Sequence, residues 1–144
     1  MNEAKWDYLL KLDDELLRGG VVLSEWATFL VRDADTAYCA GAHLSALLAA
    51  QSAIEAHLRY EYENRSPRQA STLYDLIESS PLHPDLRQEL HSLRRYRNRW
   101  VHVRDPHEDA DLLSRPEYHE AELERLATKA MRAMRQVLYL EQSL

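Results

Sequence analysis

The sequence predicts an all-α fold, one single-domain bundle of four to five helices over residues 1–144, and three observations predict it. Leu occurs 24 times and Ala 17 times, while Val, Ile and Phe together reach 9. Leu and Ala lead the helix scale, and the β-branched and aromatic residues that favour strands are scarce. Apolar residues recur at three- and four-residue spacing, with no strand-like alternation of useful length and no internal repeat. A chain of 144 residues buries one core of ordinary size and does not divide into two lobes.

Each element follows from pattern and punctuation. Trp6, Leu9, Leu10, Leu12, Leu16 and Leu17 define a first helix that stops at Gly19 and Gly20, as a C-terminal cap should. Ser24 is placed to cap a short second helix over 25–30 that merges with the next segment near Asp33. The longest periodic stretch, rich in Ala and Leu, covers 35–62 and ends at the breaker sequence Asn64-Arg65-Ser66-Pro67. A shorter helix covers 71–79, and Pro84, suited to the first helical position, opens another over 84–103. An acid-rich loop over 105–116 precedes a final long helix over 117–140, with acids early and Arg125, Lys129, Arg132 and Arg135 late, the order that the helix dipole favours.

Composition excludes several classes of function. The net charge of −6 argues against indiscriminate coating of nucleic acid or anionic membrane. The first residues carry acids among their apolar positions, unlike a secretory signal, and the apolar stretches are too short or interrupted to span a bilayer. Cys39, the lone cysteine, excludes an internal disulfide and reads as a small core residue, so a reduced cytoplasmic setting is expected. No metal site is expected. His102 and His107 flank Pro106 and share no helical face, and His119-Glu120 lacks the second His of a zincin helix. There is no Gly-rich phosphate loop and no G-x-S-x-G nucleophile, and no cofactor is implied.

The charge is unevenly distributed. Residues 87–104 hold six Arg against one Glu, which is +5, and leave −11 elsewhere; residues 105–124 hold eight acids and only Arg115. With Leu86 set at zero and about 100° per residue, Leu90, Leu93, Trp100 and Val101 fall within about 60° of it, and Arg97 falls at about 20°, in the middle of that stripe. The same exercise on the long helix places Leu44, Leu48, Leu58 and Tyr62 on a buried stripe, with Glu55 about 20° from Leu44. A guanidinium on a core face is costly unless paired, so Glu55 and Arg97 are expected to face each other as a buried ion pair. The alternative is that helix phases drift and one of the two snorkels to the surface.

A second stripe, about 80–180° round the Arg-rich helix, carries His91, Arg94, Arg95, Asn98 and His102. It collects an imidazole that exchanges protons near neutral pH, an amide that orients a polar partner and several phosphate-seeking guanidiniums. Those are the parts needed to cleave RNA by attack of its own 2′-hydroxyl: a base, an acid and positive charge where the phosphorane becomes more anionic. Arg99 and Arg104 add to the basic surface, and Tyr96 is the best candidate for stacking on a base. Trp6, Trp26 and Trp100 read as core or interface aromatics.

The string Arg97-Asn98-Arg99-Trp100-Val101-His102 resembles the R-N-x-x-x-H signature of HEPN domains, all-helical domains associated with nucleotides and RNA in microbial toxin and defence systems. Its context is also similar: a late helix, after a long Ala-rich helix with Ala-Ile-Glu-Ala-His-Leu-Arg at 53–59, and before one final helix. The resemblance implies a homodimer whose motif helices line a shared basic cleft, and metal-independent cleavage of RNA, with an antitoxin protein as a partner in toxin members. It implies that His102 moves a proton, Arg97 stabilises the scissile phosphate and Asn98 orients one of them, with Glu55 fixing the Arg from behind. A buried Arg97 and a catalytic one agree if its stem lies in the core and its head at the floor of a cleft between subunits. Some toxin members carry a Tyr two residues after the His, the target of a partner nucleotidyltransferase; Arg104 stands there. Many HEPN domains do not catalyse, so the second reading is a helical module that holds a nucleotide, RNA or protein in the same cleft. An acidic exterior around one basic cleft favours a single strand or loop over a long duplex.

Overall fold

The computed structural model describes residues 2–63, 72–103, 105 and 110–144. Seven helices occur among them: α1 (Glu3–Leu16), α2 (Glu25–Cys39), α3 (His43–Tyr62), α4 (Leu73–Ser79), α5 (Pro84–Val101), α6 (Ala110–Ser114) and α7 (Pro116–Leu138). The chain is all-helical as expected, but with more helices than four or five.

Two departures explain the difference. The stretch expected as one helix over 35–62 is divided between α2 and α3 at Ala40 and Gly41. Gly41 has φ of +82°, its N–H donates to the Tyr38 carbonyl at 3.1 Å, and the Ala42 N–H donates to the Ala37 carbonyl at 2.9 Å. This pair of reversed bonds is a left-handed helix stop, which a side chain at 41 would strain. The second departure is α6, a short helix within the acid-rich segment expected to be loop.

Ser24 caps α2 as expected, its Oγ accepting from the Ala27 N–H at 3.1 Å. The glycine pair does not cap α1, which ends earlier, at Leu16. Gly20 instead exchanges two 2.8 Å backbone bonds with Ser143, and a Cβ on Gly19 would collide with the Ser143 backbone. These glycines let the C-terminal segment approach the α1–α2 connection.

Helix α3 lies at the centre, packed on α2 and α7; α1 lies against α7 and α2, α4 against α3 and α5, and α5 against α7 and α3. Leu47, Ile54, Leu58, Met131, Met134 and Leu138 are among the fully buried side chains. Flanked on several sides, α3 buries Ala46, Leu47, Ala50, Ile54 and His57, a face centred about 110° away from the stripe expected through Leu44. Leu44 and Leu48 are only half-buried, and Glu55 sits at the rim. His57 is 1% exposed, and both ring nitrogens lack a hydrogen-bond partner among the described residues. Cys39 is buried in the core, and burial pushes its thiol up, which disfavours a nucleophilic thiolate.

The fold has a buried ion network, but its centre is Arg135 on α7. Its guanidinium makes two bonds to the Asp35 carboxylate of α2, at 3.0 and 2.8 Å, and one to Asp13 of α1 at 2.9 Å. The Tyr139 hydroxyl donates to the same Asp13 oxygen at 2.7 Å. Burial pushes the Asp35 carboxyl up despite the opposing pull of Arg135, and burial followed by the Asp13 bond pushes the Tyr139 phenol up. Three helices are thus fastened by one cation with most of its hydrogen-bonding capacity used.

Candidate nucleic-acid interface

Helix α5 begins at Pro84, after His83, whose Nδ1 accepts from the Asp85 N–H at 3.1 Å. It buries Leu86, Leu90, His91, Leu93 and Tyr96. The buried face shifts toward Tyr96 in the last turns, which border α6 and α7. Val101, expected in the core, is therefore exposed, and Trp100 is half-buried. The helix ends at Val101, and His102 takes up a non-helical conformation while its N–H still donates to the Asn98 carbonyl at 3.0 Å.

A cleft of about 330 Å³ lies where α5 meets α3 and α4, lined by Glu55, Thr72, Leu73, Tyr74, Arg94, Arg97, Asn98 and His102. All three expected catalytic residues and the expected supporting Glu55 thus border one cavity. Arg97 and Asn98 are half-buried, and His102 is exposed. The cleft combines two guanidiniums, a carboxamide and an imidazole.

The expected buried pair between Glu55 and Arg97 does not form. The Glu55 carboxylate bonds Arg59, one turn along its own helix, at 3.1 Å, and Arg59 also pairs with Glu63 at 3.1 Å. Both Glu55 and Arg59 are a third exposed. Arg97 makes no ion pair or side-chain hydrogen bond among the described residues. The physical reason is the phase of α3, which carries Glu55 to the rim within reach of a same-helix partner.

The basic residues around the motif divide between two sides of α5. Arg94 stands on the cleft side, its guanidinium 5.2 Å from the Tyr74 ring centroid and its Nε donating to His91 Nδ1 at 3.4 Å. His91 does not share the open stripe expected of it: it is buried beneath α4, 3.2 Å from Glu78 and against Tyr74. Arg95 is exposed and lines neither cavity described here. Arg99 and Tyr96 lie on the other side, facing α6 and α7. Tyr96 is not the open stacking platform expected, since it is 8% exposed, edge-on to Trp100 and covered by Arg99 at 5.7 Å. Arg104 and His107 lie outside the described residues.

The aromatic residue that lines this cleft is Tyr74, between Arg94 and His91. It is half-exposed at the edge of the cleft, and nothing in its local sequence marks it, because its position there comes from the packing of α4 against α5. Gln51 is the other residue that sequence reasoning missed. Buried on α3, its Nε2 donates to the Leu93 carbonyl at 2.7 Å, fixing α5 one turn before Arg97. A lone polar residue among the alanines of α3 is the available signal.

Among the described residues no group of three or more His, Cys, Asp or Glu is placed to hold a metal ion, and no helix is long and apolar enough to cross a membrane. Compared with protein-family models, curated proteins and solved structures, the chain matches none.

Proposed function

We propose that the protein is a metal-independent endoribonuclease of HEPN type, acting in a cytoplasmic toxin–antitoxin or defence setting on single-stranded or looped RNA. The observation that carries this reading is the gathering of Arg94, Arg97, Asn98 and His102 around one cleft, with the half-buried Arg97 making no ion pair among the described residues. A cation kept near the core without a partner is what a phosphate-binding site requires.

In the proposed reaction His102 takes the 2′-hydroxyl proton, the 2′-oxygen bonds to phosphorus and the bond from phosphorus to the 5′-oxygen breaks. A second imidazole, the partner's His102, protonates the leaving oxygen, and Arg97 stabilises the anionic phosphorane. The products are a 2′,3′-cyclic phosphate and a 5′-hydroxyl. Homodimerisation is supported by Val101 and Val103, which are 41% and 55% exposed on either side of His102 and give a second copy an apolar surface to cover. An antitoxin protein would act by closing the same cleft.

The second reading, a non-catalytic module that holds RNA, a nucleotide or a protein, is favoured by one observation. No side chain among the described residues orients the His102 imidazole, whereas a general base works best when held. The test is incubation of the purified protein with total RNA in EDTA beside His102→Ala and Arg97→Ala. Cleavage by the wild type alone, with cyclic-phosphate ends, supports the enzyme; RNA binding without cleavage in all three supports the module.

A further inference from the structure

On the opposite side of α5 a smaller cavity of about 160 Å³ is lined by Tyr96, Arg99, Trp100, Asp111, Leu112, His119 and Glu122. Its polar groups fall into two sets. Asp111 is fully engaged: Arg115 bonds it at 2.8 and 2.9 Å and His119 Nε2 at 2.8 Å. These contacts hold its carboxyl at about 2, and they tie α6 to α7. The second set is loosely held. The buried Tyr96 hydroxyl makes no hydrogen bond of good geometry among the described residues, and the Glu122 carboxylate beside it makes no ion pair among them. Burial is the main influence raising the Tyr96 phenol; a hydrogen-bonding contact with Trp100 opposes it, and Glu122 adds to it both as a charge and as a hydrogen-bonding neighbour.

A buried hydroxyl left without a partner costs free energy unless something else occupies the space beside it. What fits must offer donors to a carboxylate and an acceptor to a hydroxyl, and must be flat enough to lie against Trp100. A carboxylate accepts two parallel N–H groups. Among the four RNA bases only guanine presents two adjacent donors, the ring N1–H and the exocyclic amine, on one edge beside a carbonyl acceptor. An alkyl guanidinium also offers paired donors, but Arg99 at the cavity repels a second cation while it attracts a nucleotide phosphate.

Resting on the reading of the first cleft as an RNA site, we infer that this second cavity is a guanine-binding pocket. Glu122 accepts from the base edge, Tyr96 donates to its carbonyl, Trp100 supplies an apolar wall and Arg99 meets the adjoining phosphate. RNA substrates would then be held on both sides of α5, with a guanine in the smaller cavity and the scissile phosphate beside Arg97 and His102.

The test is equilibrium binding of GMP, IMP, AMP, CMP, UMP and agmatine to the full-length protein, read by NMR line shifts of the Trp100 indole. GMP is expected to bind about tenfold or more tightly than IMP, which lacks the exocyclic amine, and than the other nucleotides. Glu122→Gln should weaken GMP about tenfold with unchanged helicity. Tyr96→Phe should weaken GMP and yet raise the melting temperature, since it removes a hydroxyl that the free protein leaves unsatisfied; a merely structural tyrosine would not show that opposition. Equal affinity for all nucleotides, preference for agmatine, or full GMP affinity in Glu122→Gln would overturn the inference. Because no cleavage is measured, His102→Ala must bind GMP as the wild type does. In a separate cleavage assay, absence of RNA cleavage by the wild type with GMP binding intact counts against the nuclease alone; cleavage by the wild type without GMP preference counts against the pocket alone.

Discussion

Arg135 and Arg97 are both arginines on helix faces that turn toward the interior, and they have opposite environments. Arg135 is 3% exposed and shared between two carboxylates of two other helices. Arg97 is half-buried beside a cleft in which Glu55, the one lining carboxylate among the described residues, is occupied by Arg59. The difference teaches that a charge on an apolar stripe has two physical solutions. One is complete internal pairing, which fixes the fold. The other is a cleft that leaves the charge available to a ligand. On this view Arg135 serves stability and Arg97 serves recognition.

The largest effect that would break this contrast is expected at Arg135. Arg135→Ala strands Asp35 and Asp13 and should destabilise the protein by about 3–5 kcal/mol, measured by urea denaturation. A loss no greater than that of Arg97→Ala would erase the distinction between the two arginines. Gln51→Ala should cost about 1–3 kcal/mol through the lost buried bond to the Leu93 carbonyl. It should also lower RNA affinity, because the turn carrying Arg94 and Arg97 loses its anchor on α3.

A third prediction concerns pH. Burial, opposed by Glu61, lowers the His57 imidazole below its ordinary 6.5. As pH falls through 6.5 the unfolded chain binds a proton that the folded chain resists, so this contribution to stability is present above 6.5 and declines below it. The melting temperature of His57→Leu should therefore depend less on pH between 7 and 5 than that of the wild type. The smallest effect is expected at Glu55→Gln, about 0.3–0.5 kcal/mol, as for an exposed same-helix pair. A cost of several kcal/mol would instead revive a buried pair with Arg97.

Much of the fold was legible because helix formers, the Ser24 cap and Pro84 act locally. What was not legible depends on tertiary packing. Gly41 stops a helix within a run of strong helix formers, and Gly19 and Gly20 serve a contact with Ser143, more than a hundred residues away in sequence. The motif residues Arg97, Asn98 and His102 were legible as one group because consecutive turns of a single helix hold them. Their surroundings were not: the phase of α3 decides whether Glu55 reaches Arg97, the packing of Trp100 and Arg99 around Tyr96 covers it while Val101 stays bare, and α4 supplies Tyr74. Arg135 was read as a favourable late charge on its helix, since the carboxylates that claim it lie on α1 and α2.

The most direct test of this account measures RNA cleavage and thermal melting on the same preparation of Arg97→Ala. The account predicts cleavage lost and a melting temperature within about 2–4 °C of the wild type, a change on the order of 1 kcal/mol. A collapse of the melting temperature, or undiminished cleavage by a well-folded variant, would contradict it.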